Sequence, residues 1–438
     1  MNSKENPHTA YMSLALYLAW RVKGTTLPNP AVGAVLVRNN KVVAWGSTQP
    51  LGGAHAEVCA LNMARNLGVD LTQTTLYCTL EPCSHYGKNP PCTQAIIQAG
   101  IKRVFIGCKD QNPLVAGKGI ETLADAGVEV KTGILKKSLL SFYEGFFYSI
   151  HHKKPFVTIK IAQTAQGAQA EAPGLRTALS SPDSLQAVRE LRAQADGILI
   201  GGSTLRTDNP LLQAHIPQGL ITQLQASRQL FDIDFSLPGA EVLKDLFLSA
   251  KEESILRNYW PRTVVFTRFP NRDLLIGPLN LQLLNEPHLS RLQIICSTKP
   301  EQENQDTPAK MVNDTEQITK ENLSKSLEVS QVNPLPTIYL PPVDPGSKYP
   351  ERDLLQNLIS ELGQLGYHSL WIEPGPTWAA HWLKSGLWQK FYIITTPGHY
   401  PEGPRWTEGL SKNWEERGDF DKLPSLGGDL WQVATSRR

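Results

Sequence analysis

From residue 10 to residue 135 short apolar runs alternate with helical periods, and glycines punctuate the helix ends. Residues 31–37 and 41–46 read as paired strands turning at Asn39-Asn40. A helix over about 54–66 ends before Gly68, and 74–80 reads as a buried strand. A helix over 93–99 stops at Gly100, a strand follows over 104–107, a helix over 120–126 ends at Gly127, and 128–131 is again a strand. A strand that repeatedly hands over to a helix must bury its sheet beneath those helices, so this alternation dictates an α/β domain with a mixed or parallel sheet.

The pattern restarts after a His- and Lys-rich junction at 149–155. A strand over 156–162 precedes a helix over 182–193, and strands follow over 197–200 and 263–267. A helix over 352–365, a strand over 369–373, a helix over 377–385 and a strand over 390–395 come near the end. A chain of 438 residues exceeds one ordinary core. The expected division is 1–150 and 151–438. Residues 213–261 and 301–335 are polar and carry no sustained apolar pattern, so they read as surface insertions in the second unit.

Charge excludes some functions. The 43 basic and 41 acidic residues leave a net +2, with no basic-aromatic stripe, so neither nucleic acid nor an anionic membrane is an expected partner. The apolar stretch 9–20 is shorter than the ~20 residues of a membrane span. It also lacks a signal-peptide pattern: Lys4 is offset by Glu5, and Arg21 and Lys23 follow it. Met12, Leu16 and Ala19 share one face, which predicts a buried first helix. Five of the six cysteines, Cys59, Cys78, Cys83, Cys92 and Cys108, fall in the first quarter. Clustered cysteines beside a histidine in a chain this long point to metal and a cytoplasmic location rather than a disulfide framework.

That metal site has a specific pattern. His55-Ala56-Glu57 opens a helix, Glu81-Pro82-Cys83 follows a strand, and Cys92 comes after Pro90-Pro91 at the start of the next helix. Ligands His55, Cys83 and Cys92 leave a fourth tetrahedral position open, as a catalytic zinc requires and a structural zinc does not. Glu57 lies near the metal without ligating it, placed to take a proton from bound water and return it to a leaving amine. Zinc nucleobase deaminases use this arrangement with two residues between the cysteines. Here eight intervene, which reshapes the pocket mouth. Cys78, mid-strand, reads as core, as do Cys59 and Cys108. His85 in the loop is a candidate substrate contact.

The sequence resembles the bifunctional deaminase-reductase family of riboflavin biosynthesis. The resemblance rests on Pro28-Asn29-Pro30-Ala31-Val32-Gly33-Ala34-Val35, His55-Ala56-Glu57, Thr79-Leu80-Glu81-Pro82-Cys83-Ser84-His85, Gly87, Pro90-Pro91-Cys92 and Asp110-Gln111-Asn112-Pro113. It implies a cytidine-deaminase-like three-layer domain followed by a dihydrofolate-reductase-like α/β domain with polar insertions. It further implies zinc on His55, Cys83 and Cys92, Glu57 as proton shuttle, and a ribosyl-phosphate pyrimidine that loses a ring amino group. NADPH would then reduce the ribosyl side chain to ribityl, and the protein would associate into homo-oligomers.

In the second half the resemblance is carried by Lys160, Leu191-Arg192-Ala193, Thr204, Asp208, Pro210, Leu212 and Glu373-Pro374-Gly375-Pro376-Thr377. It implies substrate binding by Asn29, His85, Arg192, Leu212 and Glu373, and cofactor binding by Thr204, Asp208 and Gly375. Gly201–Thr204 and Gly375–Thr377 follow strands, where free backbone N–H groups can hold phosphate, and Arg192 can grip a phosphate in a charge-assisted pair.

The chain also departs from the family pattern. Thr164-Ala165-Gln166-Gly167-Ala168 replaces Ser-Leu-Asp-Gly-Arg, and Ala178 stands for a tryptophan placed against the nicotinamide. Arg176 stands for a substrate-side serine, His215 for a substrate arginine, and Leu387-Trp388-Gln389-Lys390 covers a Val-Asp-Glu stretch. Losing stacking surface and polar partners predicts weaker grip at the second site. Two rival readings remain open at this stage: a zinc nucleotide deaminase whose second domain only recognises substrate or a partner, and a zinc-stabilised scaffold without turnover.

Overall fold

The computed structural model describes residues 6–87, 89–113, 115–237, 239–248, 262–267, 292–297, 337–407 and 418–436. The first unit begins with helix α1 (Pro7–Val22), capped by the Asn6 side chain, which accepts from the His8 N–H, with Pro7 in the first turn. Strands β1 (Gly33–Arg38) and β2 (Lys41–Ser47) form an antiparallel hairpin. Asn39 and Asn40 take φ of 51° and 62°, as a two-residue turn that matches the strand twist requires.

Helix α2 (Ala56–Asn66), strand β3 (Thr75–Leu80), helix α3 (Cys92–Gln98), strand β4 (Arg103–Cys108), helix α4 (Lys118–Asp125) and strand β5 (Glu129–Thr132) complete the alternation. The strand order is β2-β1-β3-β4-β5, with β3, β4 and β5 parallel. Helices α5 (Lys136–Phe142) and α6 (Glu144–His152) follow. The expected junction at 149–155 is therefore helical through His152, and Lys153 ends it in a left-handed conformation, φ 55°.

Among the described residues nine strands make the second sheet, in the order β10-β9-β8-β7-β11-β6-β12-β14-β13. They are β6 (Phe156–Thr164), β7 (Gly197–Gly201), β8 (Arg262–Thr267), β9 (Leu292–Cys296), β10 (Thr337–Tyr339), β11 (Ser369–Glu373), β12 (Lys390–Thr396), β13 (Gly418–Leu426) and β14 (Asp429–Ser436). All pair in parallel except the last hairpin, β13 with β14, which adds antiparallel to β12. Helices α7 (Pro182–Ala193), α8 (Gly202–Asp208), α9 (Gln218–Ala226), α10 (Glu241–Leu248), α11 (Pro350–Gln364) and α12 (Pro376–Ser385) connect them.

The stretch 213–261 differs from its reading as a polar surface insertion over the part described. Helices α9 and α10 and the connection between them bury Ile221, Leu224, Phe231, Leu243 and Leu246 in one core with the first unit. The Phe231 carbonyl accepts from Val42 N–H, the Leu230 carbonyl from the Tyr11 hydroxyl, and the Phe231 ring meets Tyr11 edge-on. This cover explains why α1 is buried all round from Ala10 to Trp20, where one apolar face was expected. The short helices and scattered Leu, Ile and Phe gave too few turns for a legible period. The other expected insertion, 301–335, lies outside the described residues.

A buried ion pair also crosses between the units. Lys23 Nζ lies 3.8 Å from Asp196 Oδ1 and donates to the Phe142 carbonyl. Asp196 accepts from the His368 and Ser369 N–H groups, 3.0 Å each. Burial lowers the Lys23 ammonium below its usual value, against the pull of Asp196.

Candidate active sites

His55 caps the N-terminus of α2, and Glu57 sits in that helix's first turn. The close approach of α2 to β2 depends on Gly46, where a Cβ would lie 2.4 Å from the Ala56 carbonyl oxygen. Cys83 follows β3, and Cys92 begins α3. The four residues thus come from two helix N-termini and one strand end, brought together beyond the carboxyl end of the central strand β3.

The three candidate ligand atoms lie within 4.8 Å of one another. His55 Nδ1 is 3.6 Å from Cys83 Sγ and 3.3 Å from Cys92 Sγ. Tetrahedral zinc with ordinary Zn–N and Zn–S bonds requires about 3.5 Å between such atoms, so the donor set fits the metal. Cys83 also accepts from the Cys92 N–H at 3.4 Å. Hydrogen bonding from Cys92 and His55 holds the Cys83 thiol below its usual value, so a thiolate is available as a ligand. Glu57 is almost fully buried. Burial, reinforced by the Cys83 thiolate, raises its carboxyl to about 7.

Glu81 carries a structural role that the sequence reading missed. Its carboxylate is buried and accepts from four backbone N–H groups: Asp110 at 3.2 Å, Gly117 at 3.1 Å, Gly119 at 2.9 Å and Ile120 at 3.3 Å. It pins the loop before α4 against the Pro82-Cys83 turn. Gly119 permits this contact, since a Cβ there would fall 2.1 Å from the Pro82 carbonyl oxygen. The available signal was an acidic residue directly ahead of Pro-Cys.

The cluster opens into a cavity of about 460 Å³, also lined by Asn29, His85 and Asp110. Cys78 and Cys108 are buried in strands as expected, whereas Cys59 is only half-buried.

The second group of predicted residues gathers at the carboxyl ends of β6, β7 and β11. Arg192 from α7 forms a two-pronged pair with Glu373, Nε–Oε1 at 2.5 Å and Nη2–Oε2 at 2.9 Å, while Nη1 donates to the Gln213 carbonyl. Most of its guanidinium is therefore engaged within the protein, where the sequence pointed to a phosphate grip. Trp371 Nε1 donates to Glu373 Oε1 at 2.7 Å. Lys160 is half-buried, close enough for the charges of Glu373, Arg192 and Asp208 to act on it, and desolvation lowers its ammonium. Burial raises Asp208, which Arg176 partly offsets.

Thr204 on α8 meets Gly375 at the start of α12: a Cβ at Gly375 would lie 3.6 Å from Thr204 Oγ1. Two strand-to-helix turns thus lie side by side with Lys160 nearby, a donor set that fits a dinucleotide phosphate. Leu212 is buried with φ 51°, packed with Leu205 and Trp371 rather than standing free. His215 bonds to Gln186 at 3.1 Å, and Ala178 offers no ring for stacking.

Glu373 predicts an acid response. Burial alone would raise this carboxyl, but Arg192, Lys160 and the hydrogen bonds from Arg192 and Trp371 outweigh it and hold it at about 2, against 4.5 for the free group. A depressed native value stabilises fully above about pH 4.5, and that contribution disappears as pH falls toward 2. Urea unfolding of the wild type and Glu373→Gln, followed by tryptophan emission, should give a stability difference that is largest above pH 4.5 and narrows on acidification. A difference independent of pH between 6 and 3 would contradict this.

The first fold and its His, Cys, Cys and Glu set define a zinc-dependent deaminase class, joined here to a second α/β unit. Residues 5–108 match the family described as cytidine and deoxycytidylate deaminase zinc-binding region, and residues 155–413 match the RibD C-terminal domain. Riboflavin biosynthesis protein RibD of Aquifex aeolicus (strain VF5) is 40% identical over 261 residues, covering 60% of this chain and 68% of that protein. The RibD protein of Bacillus amyloliquefaciens is 42% identical over 238 residues, 54% of this chain and 62% of that one. A Thermotoga maritima structure titled as a diaminohydroxyphosphoribosylaminopyrimidine deaminase/5-amino-6-(5-phosphoribosylamino)uracil reductase has a TM-score of 0.64 at 23% identity. It covers 98% of this chain and 99% of that one, and shows the shared fold. The chain belongs to the RibD family, whose members combine a zinc-dependent deaminase with an NADPH-dependent reductase. Among the described residues no helix is long and apolar enough to cross a membrane.

Proposed function

We propose that this chain hydrolytically deaminates 2,5-diamino-6-(5-phosphoribosylamino)pyrimidin-4-one and then reduces the ribosyl side chain to ribityl, in the cytoplasm and as a homo-oligomer. Residues 1–150 form the deaminase unit and 151–438 the reductase unit in this reading. The observation that carries it is the His55, Cys83 and Cys92 cluster beside buried Glu57, open to a cavity large enough for a nucleotide base. His55, Cys83 and Cys92 would hold zinc, which when bound would lower the pKa of a water to serve as the nucleophile. Glu57 accepts a proton from that water and delivers it to the departing amino nitrogen, so that C–N is exchanged for C–O and ammonia leaves. Asn29 and His85 line the same cavity and orient the pyrimidine ring.

In the second site Arg192, Leu212 and Glu373 form the substrate side, and Thr204, Asp208 and Gly375 hold NADPH, the hydride source. The proper test is a two-step assay on zinc-loaded protein. Ammonia release is expected without NADPH, lost on chelation and restored by zinc; its absence overturns the deaminase reading. Titration with NADPH, followed by nicotinamide fluorescence, is expected to saturate. With no stacking ring at Ala178, half-saturation should lie at a higher concentration than a stacked nicotinamide gives, by about 2- to 10-fold. No saturation at millimolar cofactor overturns the reductase half.

A further inference from the structure

The deaminase cavity is not built by the first unit alone. Its outer wall comes from the end of α6 and from the turn between α11 and β11, including Lys153, Lys154 and His368. Two close approaches fix this wall. A Cβ at Gly366, φ 87°, would lie 3.0 Å from the Pro28 side chain, so the α11–β11 turn abuts the segment that carries Asn29. At Gly363 a Cβ would lie 3.3 Å from Pro155 Cδ and 3.8 Å from Lys154 Cα, so the last turn of α11 braces the lysine pair from behind. His368 is held in turn by its N–H bond to Asp196, the residue that pairs with Lys23 of the first unit.

The charges in this cavity are unevenly placed. Glu57 and Asp110 lie on the first-unit side with buried Glu81, and Glu81 is already satisfied by its four backbone donors. Among the described residues that line the cavity, the lysines and arginines are Lys153 and Lys154 alone, both on the opposite wall. Neither is ion-paired with a carboxylate of the described residues. A ribosyl phosphate entering base-first toward Glu57 carries its dianion away from the carboxylates, toward this wall.

We propose that Lys153 and Lys154, at the junction between the units, bind the substrate's phosphate during deamination, so that the second unit supplies part of the first unit's specificity. This rests on the deaminase reading above. The chemistry is charge-assisted hydrogen bonding from two flexible ammonium groups to a terminal phosphate.

The test uses the full-length, zinc-loaded protein and the variant Lys153→Asn/Lys154→Gln. Asparagine is chosen at 153 because it tolerates the left-handed backbone there. Ammonia release is measured on the phosphoribosyl pyrimidine and on its dephosphorylated riboside. The ratio of kcat/KM for the two compounds should fall about 10- to 100-fold in the variant, through KM of the phosphorylated compound. An unchanged ratio in the junction variant overturns the proposal. Calorimetry with ribose 5-phosphate decides the phosphate site separately, in an Arg192→Gln background that removes the second site's guanidinium. Binding should be lost with the two lysines, and retained binding overturns the assignment. If wild type releases ammonia from neither compound, the deaminase reading fails while the calorimetric result still stands on its own.

Discussion

Replacing Glu57 by glutamine should leave zinc bound and lower kcat for ammonia release by about 10²- to 10⁴-fold. The amide keeps the size and the buried position of the carboxyl, and none of the three candidate ligands is touched. What is lost is the carboxylate proposed to carry a proton from water to the leaving nitrogen. Zinc stoichiometry by metal analysis and ammonia by a coupled assay report the two effects separately. An active Glu57→Gln enzyme would sink the role assigned to this residue, and a variant that loses zinc would show that Glu57 supports the metal instead.

The second large effect is expected at Glu81, and it should be the reverse in kind. Glu81→Ala strands four backbone N–H donors, two buried and two half-buried, at Asp110, Gly117, Gly119 and Ile120. Each unsatisfied buried donor costs on the order of 1–3 kcal/mol, and even partial rehydration leaves a loss of about 3 kcal/mol or more. The loop that follows β3 should loosen, Cys83 should lose its fixed place near His55, and zinc should dissociate at concentrations where the wild type retains it. Thermal unfolding and metal retention on dialysis measure this. A Glu81→Ala protein with wild-type Tm and one zinc per chain would refute the structural role. Two carboxylates 24 positions apart are thus separated by experiment: one removes chemistry and keeps metal, the other removes the metal's support.

The deaminase side chains were legible because their chemistry is tied to local grammar. A histidine at a helix start, a glutamate two residues on, and a cysteine after Pro at a strand end keep their relative positions whatever packs around them. The α/β alternation was readable for the same reason, because strand and helix periods differ and Asn-Asn and glycine mark the turns. Glu81 was not read, since four backbone partners from 110–120 are invisible until the chain has folded back. The last hairpin, β13 with β14, went unread although Gly427-Gly428 mark its turn. The second site was half legible: Arg192 and Glu373 were named as substrate residues, yet their mutual pairing depends on a separation of 181 positions.

By itself the sequence determined the two α/β units, the residues of the candidate metal cluster, and the family, because short-range spacing encodes them. Only the tertiary structure decided that the units share walls. The helices of 213–248 close over α1, Lys23 meets Asp196, and Lys153 and Lys154 face the cavity beside Glu57 from across the junction. These are contacts between residues far apart in the chain, made by burying apolar surface that carries no local period, so no window along the sequence contains them.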